Sequence, residues 1–376
     1  EARTAMLAAL DVGGNASSVH AEGRAARALI ETARGQVAAL AGAKPSQVVF
    51  TSGATEANVL ALGPNLRPAG RSVEKRPMRL FVSAIEHPSV LEGNRFAAAD
   101  VEVLPVTADG IVDLAHLAQR LRVAQAAGVM PLVSVMAVNN ETGVVQPIEE
   151  VAALTREAGG FTHVDSVQAA GRIALRFDAL GLDLLTLSSH KLGGPQGVGA
   201  LICSDRVDLG SALIKGGRQE RSRRAGTENV AGIVGFGAAA EAASKRDESE
   251  RARLTTLRSR LEAGLREVAA DTVIFGADQP RVANTVLFAT AGVKAETALI
   301  ALDLDGVAVS SGAACSSGKV APSHVLSAMG VPQGIATGAI RVSFGKDTRA
   351  EDIDGFLQAW RKHVEALPTR QQGIAA

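Results

Sequence analysis

Residues 161–204 read FTHVDSVQAAGRIALRFDALGLDLLTLSSHKLGGPQGVGALICS, and this stretch decides the predicted fold. It contains runs at 161–166, 183–189 and 198–204 that are rich in β-forming residues and apolar on both faces. Strands of this kind are typical of a parallel sheet that helices cover on both sides. Polar residues follow the first two runs, at the strand ends where ligands bind in open α/β sheets.

The same rhythm continues toward the N-terminus. Further strands are predicted at 47–52, 79–84, 101–106 and 132–138, and helices at 53–62, 88–98, 113–122 and 148–158. Strands that alternate with helices indicate crossover connections. We therefore predict an α/β fold with a large domain built on a mostly parallel, seven-stranded sheet covered by helices.

The C-terminal third has a different pattern. Residues 245–268 are charged and helical, which predicts a long, largely exposed helix between two domains. Strands are then predicted at 284–290, 306–312 and 339–345, with helices near 295–304 and 349–366. We predict a large domain over 13–246 and a smaller C-terminal α/β domain over 247–376, with the N-terminal helix 1–12 packed against the smaller one.

Composition excludes several classes of protein. Of the 376 residues, 39 are Lys or Arg and 39 are Asp or Glu, so the balance favours neither nucleic acid nor an anionic membrane as a partner. No apolar run approaches the roughly 20 residues of a membrane span. Two cysteines are too few for a disulfide framework or a four-thiolate metal site, so we expect no metal and a cytoplasmic location. Because the chain begins at Glu1 without Met, we expect a native segment to precede it.

Two polar side chains mark neighbouring strand ends. Asp165 closes the run 161–166, and Lys191 follows the run 183–189. A lysine at a buried strand end is expected to have a lowered pKa, which suits covalent attachment to an aldehyde. A nearby carboxylate keeps a pyridine nitrogen protonated, so the pair predicts a cofactor with both groups. Alone, Lys191 would be interpreted as a surface lysine and Asp165 as a helix N-cap.

Two further motifs fit a flat, phosphorylated cofactor. TSGATE, at 51–56, predicts a strand that turns into a helix, whose first N–H groups and Thr55 hydroxyl suit a phosphate. The motif lacks the GKS or GKT of a nucleotide P-loop, and a Ser/Thr cap before a helix is ordinary. His87, in IEHPSV, could stack on a ring and transfer protons, although a lone histidine is more often structural.

Other residues suggest an amino-acid substrate and a nucleophile. Arg341 interrupts the apolar strand 339–345, where it needs either a substrate carboxylate or an internal acidic partner. Asn139 or Asn140, in VNNETG, could reach a ring oxygen or the same carboxylate, or could simply form a turn. Cys315 lies among small residues in the stretch 310–323, which we expect to be a mobile loop with an exposed, transferable thiol. Cys203 fits a buried structural position.

Taken together, these motifs resemble those of one enzyme family. In order along the chain they are TSGATE, EHPSV, VNNETG, HVDSVQ, SSHK, RRAGTEN, SSGAACSSG and IRVSFG. In these motifs the chain resembles the cysteine desulfurases. Those enzymes belong to the class V aminotransferases, a group within the fold-type I pyridoxal phosphate enzymes. The resemblance spans essentially the whole chain, and the cysteine stretch resembles the long-loop branch that serves nitrogen fixation and iron–sulfur assembly.

The resemblance implies a cofactor, pyridoxal 5′-phosphate, bound in the large domain. Lys191 would link to its aldehyde, Asp165 would pair with its pyridine nitrogen and His87 would stack on its ring. The other implied cofactor contacts are Ala54, Thr55, Gln168, Ser188, His190 and, from the second subunit of a homodimer, Thr227.

The resemblance also implies conversion of L-cysteine to L-alanine. Asn140 and Arg341 would hold the substrate carboxylate, Cys315 would receive the sulfur as a persulfide, and Lys191 or His87 would supply protons. A sulfur-acceptor protein, such as an iron–sulfur scaffold, would be the partner. Two features depart from the family pattern: the opening LDxxATT segment is not in this sequence, and Ala16 stands where proline is usual.

Two alternatives remain open from the sequence. Another class V enzyme, such as an aminotransferase or a selenocysteine lyase, would keep the cofactor residues and need no thiol in a mobile loop. A non-catalytic sulfur carrier or assembly partner would show damage to the cofactor residues, and no such damage is visible. Cys315 therefore distinguishes the desulfurase from its rivals, whereas the physiological sulfur acceptor is not specified.

Overall fold

The computed structural model describes residues 1–70, 76–312 and 323–367. The chain divides into two compact units, a larger one of residues 1–104, 112–138 and 146–246, and a smaller one of 105–111, 139–145 and the residues from 247 onward. The predicted domain boundary after residue 246 coincides with this division. Two short stretches of the range predicted for the large domain, 105–111 and 139–145, belong instead to the smaller unit.

The larger unit is built from alternating strands and helices. Its strands are β1 (Val48–Thr51), β2 (Arg67–Pro68), β3 (Met78–Ser83), β4 (Val101–Leu104), β5 (Met130–Ser134), β6 (Phe161–Asp165), β7 (Leu184–Ser188), β8 (Gly199–Cys203) and β9 (Val207–Asp208). Its helices are α1 (Ala2–Leu10), α2 (Ala21–Ala41), α3 (Ala54–Ala61), α4 (Pro88–Leu91), α5 (Leu114–Ala126), α6 (Ile148–Glu157), α7 (Phe177–Leu180) and α8 (Val230–Ser244).

The main sheet of this unit confirms the predicted fold class. Among the described residues it has seven strands in the order β1-β8-β7-β6-β5-β3-β4. The pairings from β7 through β6, β5 and β3 to β4 are parallel, and β8 runs antiparallel to both of its neighbours. All residues of β6, β7 and β8 are buried, as their apolar character on both faces predicts.

The N-terminal helix packs differently from the prediction. Helix α1 lies against α8 of the larger unit, so its expected packing against the smaller domain was wrong. The physical reason is the composition of α8, which is rich in Ala and Gly and lets other helices approach closely. A Cβ added at Gly237 would come within 2.6 Å of Ala33 Cα on α2, and one at Gly235 within 3.5 Å of Met6 Cβ on α1.

The smaller unit is an α/β layer of its own. Its strands are β10 (Val273–Ile274), β11 (Thr285–Ala289), β12 (Ser310–Ser311) and β13 (Ile340–Ser343), and its helices are α9 (Glu248–Val268), α10 (Ala295–Leu304), α11 (His324–Ala328), α12 (Gln333–Ala336) and α13 (Ala350–Glu365). In the described part of the chain the strands form an antiparallel sheet in the order β10-β11-β13-β12. Helices α9 and α13 pack on each other over a core that includes Phe288, Phe356 and Trp360.

Two predicted elements have less than half of their predicted length. The helix predicted over 88–98 is only α4, and beyond its end Asn94 Nδ2 donates to Leu91 O at 2.9 Å, which satisfies one of the terminal carbonyls. The strand predicted over 306–312 is only β12. The predicted mobile loop lies largely at 313–322, outside the described residues. Along the residues that are described, none of the helices has the length and apolar character needed to cross a bilayer.

Candidate active site

The carboxyl ends of β6 and β7 lie side by side, as the sequence predicts. Asp165 is the last residue of β6 and pairs in register with Thr186 of β7. Lys191 closes a 3₁₀ turn, Ser189–Lys191, that directly follows β7. Because the two strands are parallel neighbours, both residues emerge at the same edge of the sheet.

Asp165 is a buried carboxylate with hydrogen bonds to both of its oxygens. The side-chain amide of Asn58 donates to Oδ2 at 2.9 Å, and the backbone N–H of Val167 donates to Oδ1 at 3.0 Å. Burial raises the pKa of Asp165, and the hydrogen bonds from Asn58 and Val167 oppose that rise. A desolvated carboxylate that still accepts two hydrogen bonds is suited to receive a cation.

Asn58, on α3, was missed by the sequence reasoning. It is wholly buried, and its Nδ2 also donates to Ser89 Oγ at 2.9 Å. An asparagine on the otherwise apolar buried face of the helix was the available signal, because a buried amide needs partners. The partners themselves lie 31 and 107 residues away in the chain.

His87 lies at the start of α4, just beyond β3, and is half-buried. Its Nδ1 accepts the backbone N–H of Ser89 at 3.1 Å and lies 2.8 Å from Ser89 Oγ. The imidazole is therefore held by its Nδ1 side at the edge of the sheet that carries Asp165. A single chain of hydrogen bonds connects the two predicted cofactor residues through Ser89 and Asn58.

Glu86 is a second residue that the sequence reasoning missed. It is wholly buried, and its Oε1 accepts the backbone N–H of Met136 at 2.6 Å. Burial raises the pKa of Glu86 well above its ordinary value, and the charge of Asp165 adds to the effect. Burial and the neighbouring Asp165 therefore both disfavour the charged form of Glu86.

The residues of the predicted phosphate cradle lie at the start of α3. Gly53 is the N-cap, Ala54 is half-buried and Thr55 is exposed. The first N–H groups of a helix have no partner within the helix, and they favour an anion. Gly199 of β8 lets the turn approach closely, since a Cβ there would be 2.6 Å from the Gly53 carbonyl carbon.

The turn after β7 carries three predicted residues. Ser188 is buried and its Oγ lies 2.9 Å from His190 Nδ1. Desolvation and the charge of Lys191 lower the pKa of His190. Lys191 is exposed, so the burial expected for it is not present: β7 ends at Ser188, and the following turn carries the lysine beyond the sheet edge.

Arg172 connects the loops that follow β6 and β7. It donates to the carbonyl oxygens of Gln168 at 2.8 Å, Val167 at 3.4 Å and Lys191 at 3.5 Å. Burial, and then the charge of Arg246, lower the pKa of Arg172 to about 10. The half-buried Gln168 and the lysine turn are therefore joined through one guanidinium.

The predicted substrate residues lie together in the smaller unit. Arg341, on β13, donates from Nη1 to Asn140 O at 2.8 Å. The buried Glu141 is the internal acidic neighbour that the alternative interpretation of Arg341 requires. Arg341 thus has structural contacts as well as a predicted substrate role.

The remaining predicted residues are less constrained. Thr227 is exposed, shortly before α8. Cys315 lies outside the described residues. Cys203 is a buried free thiol on β8, and burial raises its pKa to about 11, in agreement with the structural position expected for it.

The chain is similar to known proteins over nearly its whole length. The profile described as Aminotransferase class-V matches residues 5–356. The chain is 40% identical over 359 residues to the cysteine desulfurase IscS of Dictyoglomus turgidum, and the match covers 95% of this chain and 89% of that protein. The chain belongs to the class V aminotransferase family. Another relative, the IscS-like cysteine desulfurase of Mycobacterium tuberculosis, is also 40% identical, and the match covers 94% of this chain and 90% of that protein.

Solved structures agree with this membership of the class V aminotransferases. The NifS-like protein from Rickettsia africae is 35% identical with a TM-score of 0.84, and the match covers 96% of this chain and 94% of that one. A second structure, titled NifS-like protein, has the same TM-score of 0.84 at 32% identity, with 97% and 95% covered. The predicted family and fold are confirmed. Enzymes of this family depend on pyridoxal 5′-phosphate.

Proposed function

We propose that this protein is a pyridoxal 5′-phosphate-dependent cysteine desulfurase that passes the sulfur of L-cysteine to Cys315. The C–S bond of the substrate breaks, an S–S bond forms on Cys315, and the carbon that loses sulfur gains a proton. One cysteine and one thiol give one alanine and one persulfide, so the reaction needs no outside oxidant or reductant. The thiolate of Cys315 is the nucleophile.

The observation that carries the proposal is the environment of Asp165. Its buried carboxylate accepts hydrogen bonds on both oxygens, so the pocket suits one cationic partner. The protonated pyridine nitrogen of pyridoxal phosphate is such a cation, and the N-terminus of α3 suits its phosphate. When bound, the cofactor supplies an electron sink that weakens bonds at the substrate α- and β-carbons.

The chain's own residues would bind, orient and move protons. Lys191 would hold the cofactor aldehyde and exchange protons with the substrate, and Asp165 would keep the ring nitrogen charged. His87 would lie against the ring, and Asn140 and Arg341 would hold the substrate carboxylate. Further cofactor contacts are proposed for Ala54, Thr55, Gln168, Ser188 and His190.

The proposal extends to partners. We propose a homodimer in which Thr227 of one subunit contacts the phosphate held by the other. The sulfur acceptor would be a scaffold for iron–sulfur clusters or another thiol-bearing carrier protein in the cytoplasm. A persulfide is a labile group, so it must be delivered to such an acceptor by direct protein contact.

The Cys315→Ala variant tests the proposal, because Cys315 belongs to sulfur transfer and not to cofactor binding. The variant should bind pyridoxal phosphate and change its absorbance on addition of L-cysteine, yet release essentially no sulfide or alanine. Cys203→Ala is the matched control and should keep wild-type turnover, since that thiol is buried and held at a high pKa. Wild-type sulfide release by Cys315→Ala would refute the proposal in favour of another class V activity. A wild type without any spectral response would favour a non-catalytic carrier.

A further inference from the structure

One buried amide links the two sides of the proposed cofactor pocket. Asn58 Nδ2 donates one hydrogen to Asp165 Oδ2 and the other to Ser89 Oγ, each at 2.9 Å. Ser89 Oγ lies 2.8 Å from His87 Nδ1. A continuous chain of hydrogen bonds therefore runs from the carboxylate of Asp165 to the imidazole of His87 through two neutral side chains.

The orientation of the Asn58 amide is fixed by its neighbours. If the amide were turned over, its oxygen would face the Asp165 carboxylate, and two acceptors would then meet without a hydrogen between them. In the orientation adopted, no described residue donates to the buried Asn58 Oδ1. The orientation that uses both N–H groups thus leaves the buried oxygen without a protein donor, which carries a desolvation cost.

The same geometry fixes where the proton of His87 lies. The backbone N–H of Ser89 donates to His87 Nδ1 at 3.1 Å, and a backbone N–H cannot become an acceptor. The Ser89 hydroxyl oxygen accepts from Asn58 and lies 2.8 Å from the same Nδ1, which it meets as a donor because Nδ1 already accepts the backbone N–H. Two donors that face Nδ1 leave no room for a proton there, so the imidazole carries its hydrogen on Nε2.

We propose that Asn58 is a positioning residue that orients the Asp165 carboxylate and, through Ser89, holds His87 as a neutral imidazole protonated at Nε2. The identity of the cofactor in this inference rests on the proposed function, whereas the tautomer is a property of the chain itself. An imidazole in this form donates from Nε2 and cannot accept a proton there. The role of general base toward the substrate therefore falls to Lys191 rather than being shared with His87.

Helix capping alone does not account for this arrangement. His87 is the N-cap of α4, and that role needs only the contact between Nδ1 and the Ser89 N–H. It requires neither the Ser89 hydroxyl nor Asn58. The dependence of the His87 tautomer on Asn58, rather than stability, therefore distinguishes the proposed role from helix capping.

Nitrogen-15 NMR of histidine-labelled protein gives that report, with His87→Gln used to assign the signals. In the wild type, Nδ1 should show the signal of an unprotonated ring nitrogen and Nε2 that of a protonated one. In Asn58→Leu the Ser89 hydroxyl can turn away, so Nδ1 keeps only the 3.1 Å contact from the Ser89 N–H, and a fraction of His87 protonated at Nδ1 should become detectable. Asn94→Leu is the matched control: that amide contacts Leu91 O at the end of α4 and should leave His87 unchanged.

Cofactor affinity is the second readout. Loss of a hydrogen bond to a charged group should weaken pyridoxal phosphate binding by Asn58→Leu by about tenfold or more, with Asn94→Leu unchanged. Asn58→Ser, which is small and keeps one donor, replaces Asn58→Leu if the latter does not fold, and should give an intermediate result in both readouts.

Three outcomes decide the matter. A proton on Nδ1 of wild-type His87 at neutral pH would overturn the tautomer assignment. A wild-type tautomer together with wild-type affinity in the Asn58 variants would overturn the role of Asn58. A wild type that shows the expected tautomer but binds no pyridoxal phosphate would support this inference and contradict the proposed function, which keeps the two separable.

Discussion

Glu141 shows how one buried carboxyl can connect several parts of the smaller unit. Ser323 donates from Oγ to Glu141 Oε2 at 2.5 Å, and a Cβ added at Gly312 would lie 3.4 Å from the same oxygen. Gly312 is the last described residue before the stretch 313–322, which contains Cys315, and Ser323 is the first described residue after it. Burial raises the pKa of Glu141 to about 7, although the hydrogen bond from Ser323 and the charge of Arg341 oppose the rise.

Glu141→Gln should therefore change how stability depends on pH. The pKa of Glu141 is about 7 in the folded protein against an ordinary value of 4.5, so the folded state binds more protons between these values. Stability is then lost as pH rises through this window, by at most about 3 kcal/mol. The glutamine variant stays neutral and avoids that loss. Relative to the wild type, it should gain stability between pH 5 and pH 8 in thermal or urea unfolding.

The exposed Glu296 on α10 provides the control for this measurement. Glu296→Gln removes the same charge from a solvated helix position and should follow the wild-type pH profile. If the difference between Glu141→Gln and the wild type is the same at pH 5 and pH 8, the buried carboxyl is already ionised throughout. The account of its burial would then be wrong.

At the scale of elements, the contact between the start of α3 and strand β8 shapes the proposed phosphate site. Gly53 caps α3, and a Cβ on Gly199 would lie 2.6 Å from its carbonyl carbon and 2.8 Å from its Cα. The contact is between two backbones, so no flexible side chain can move aside. The position of the helix N-terminus depends on this close approach.

Gly199→Ala should consequently displace the start of α3. Overpacking of this kind costs about 1–3 kcal/mol, and we expect a lower melting temperature together with at least tenfold weaker binding of pyridoxal phosphate. Gly35→Ala is the matched control. Gly35 lies inside α2 with open space around it, so alanine there should stabilise the protein by about 0.5–1 kcal/mol and leave cofactor binding unchanged. Wild-type affinity in Gly199→Ala would show that the cradle does not depend on the contact.

The elements also show what local sequence specifies and what it does not. Strands β6 and β7 were predictable because their apolar runs are bounded by polar residues, and Asp165 followed from its place at a strand end. Asn58 was not, because its partner Asp165 is 107 residues away and is brought to it by the order of strands in the sheet. The exposure of Lys191 depends on the 3₁₀ turn after β7, which the apolar pattern does not encode.

At the level of the whole molecule, the residues with proposed roles are distributed over both units. The larger unit carries the residues assigned to the cofactor, and the smaller unit carries Asn140 and Arg341. The boundary after residue 246 was predictable from a change in helix composition. The assignment of 139–145 to the smaller unit was not, because these residues join it through contacts with distant chain, such as the hydrogen bond from Val145 N–H to Pro280 O.

The most direct test of the central claim is mass spectrometry of the protein after brief exposure to L-cysteine that carries isotopically labelled sulfur. The account predicts one labelled sulfur on the peptide that contains Cys315, removable by reductant, with one alanine formed for each sulfur bound. The peptide that contains Cys203 should stay unmodified. Alanine formed without label on Cys315, or label confined to another residue, would contradict the account.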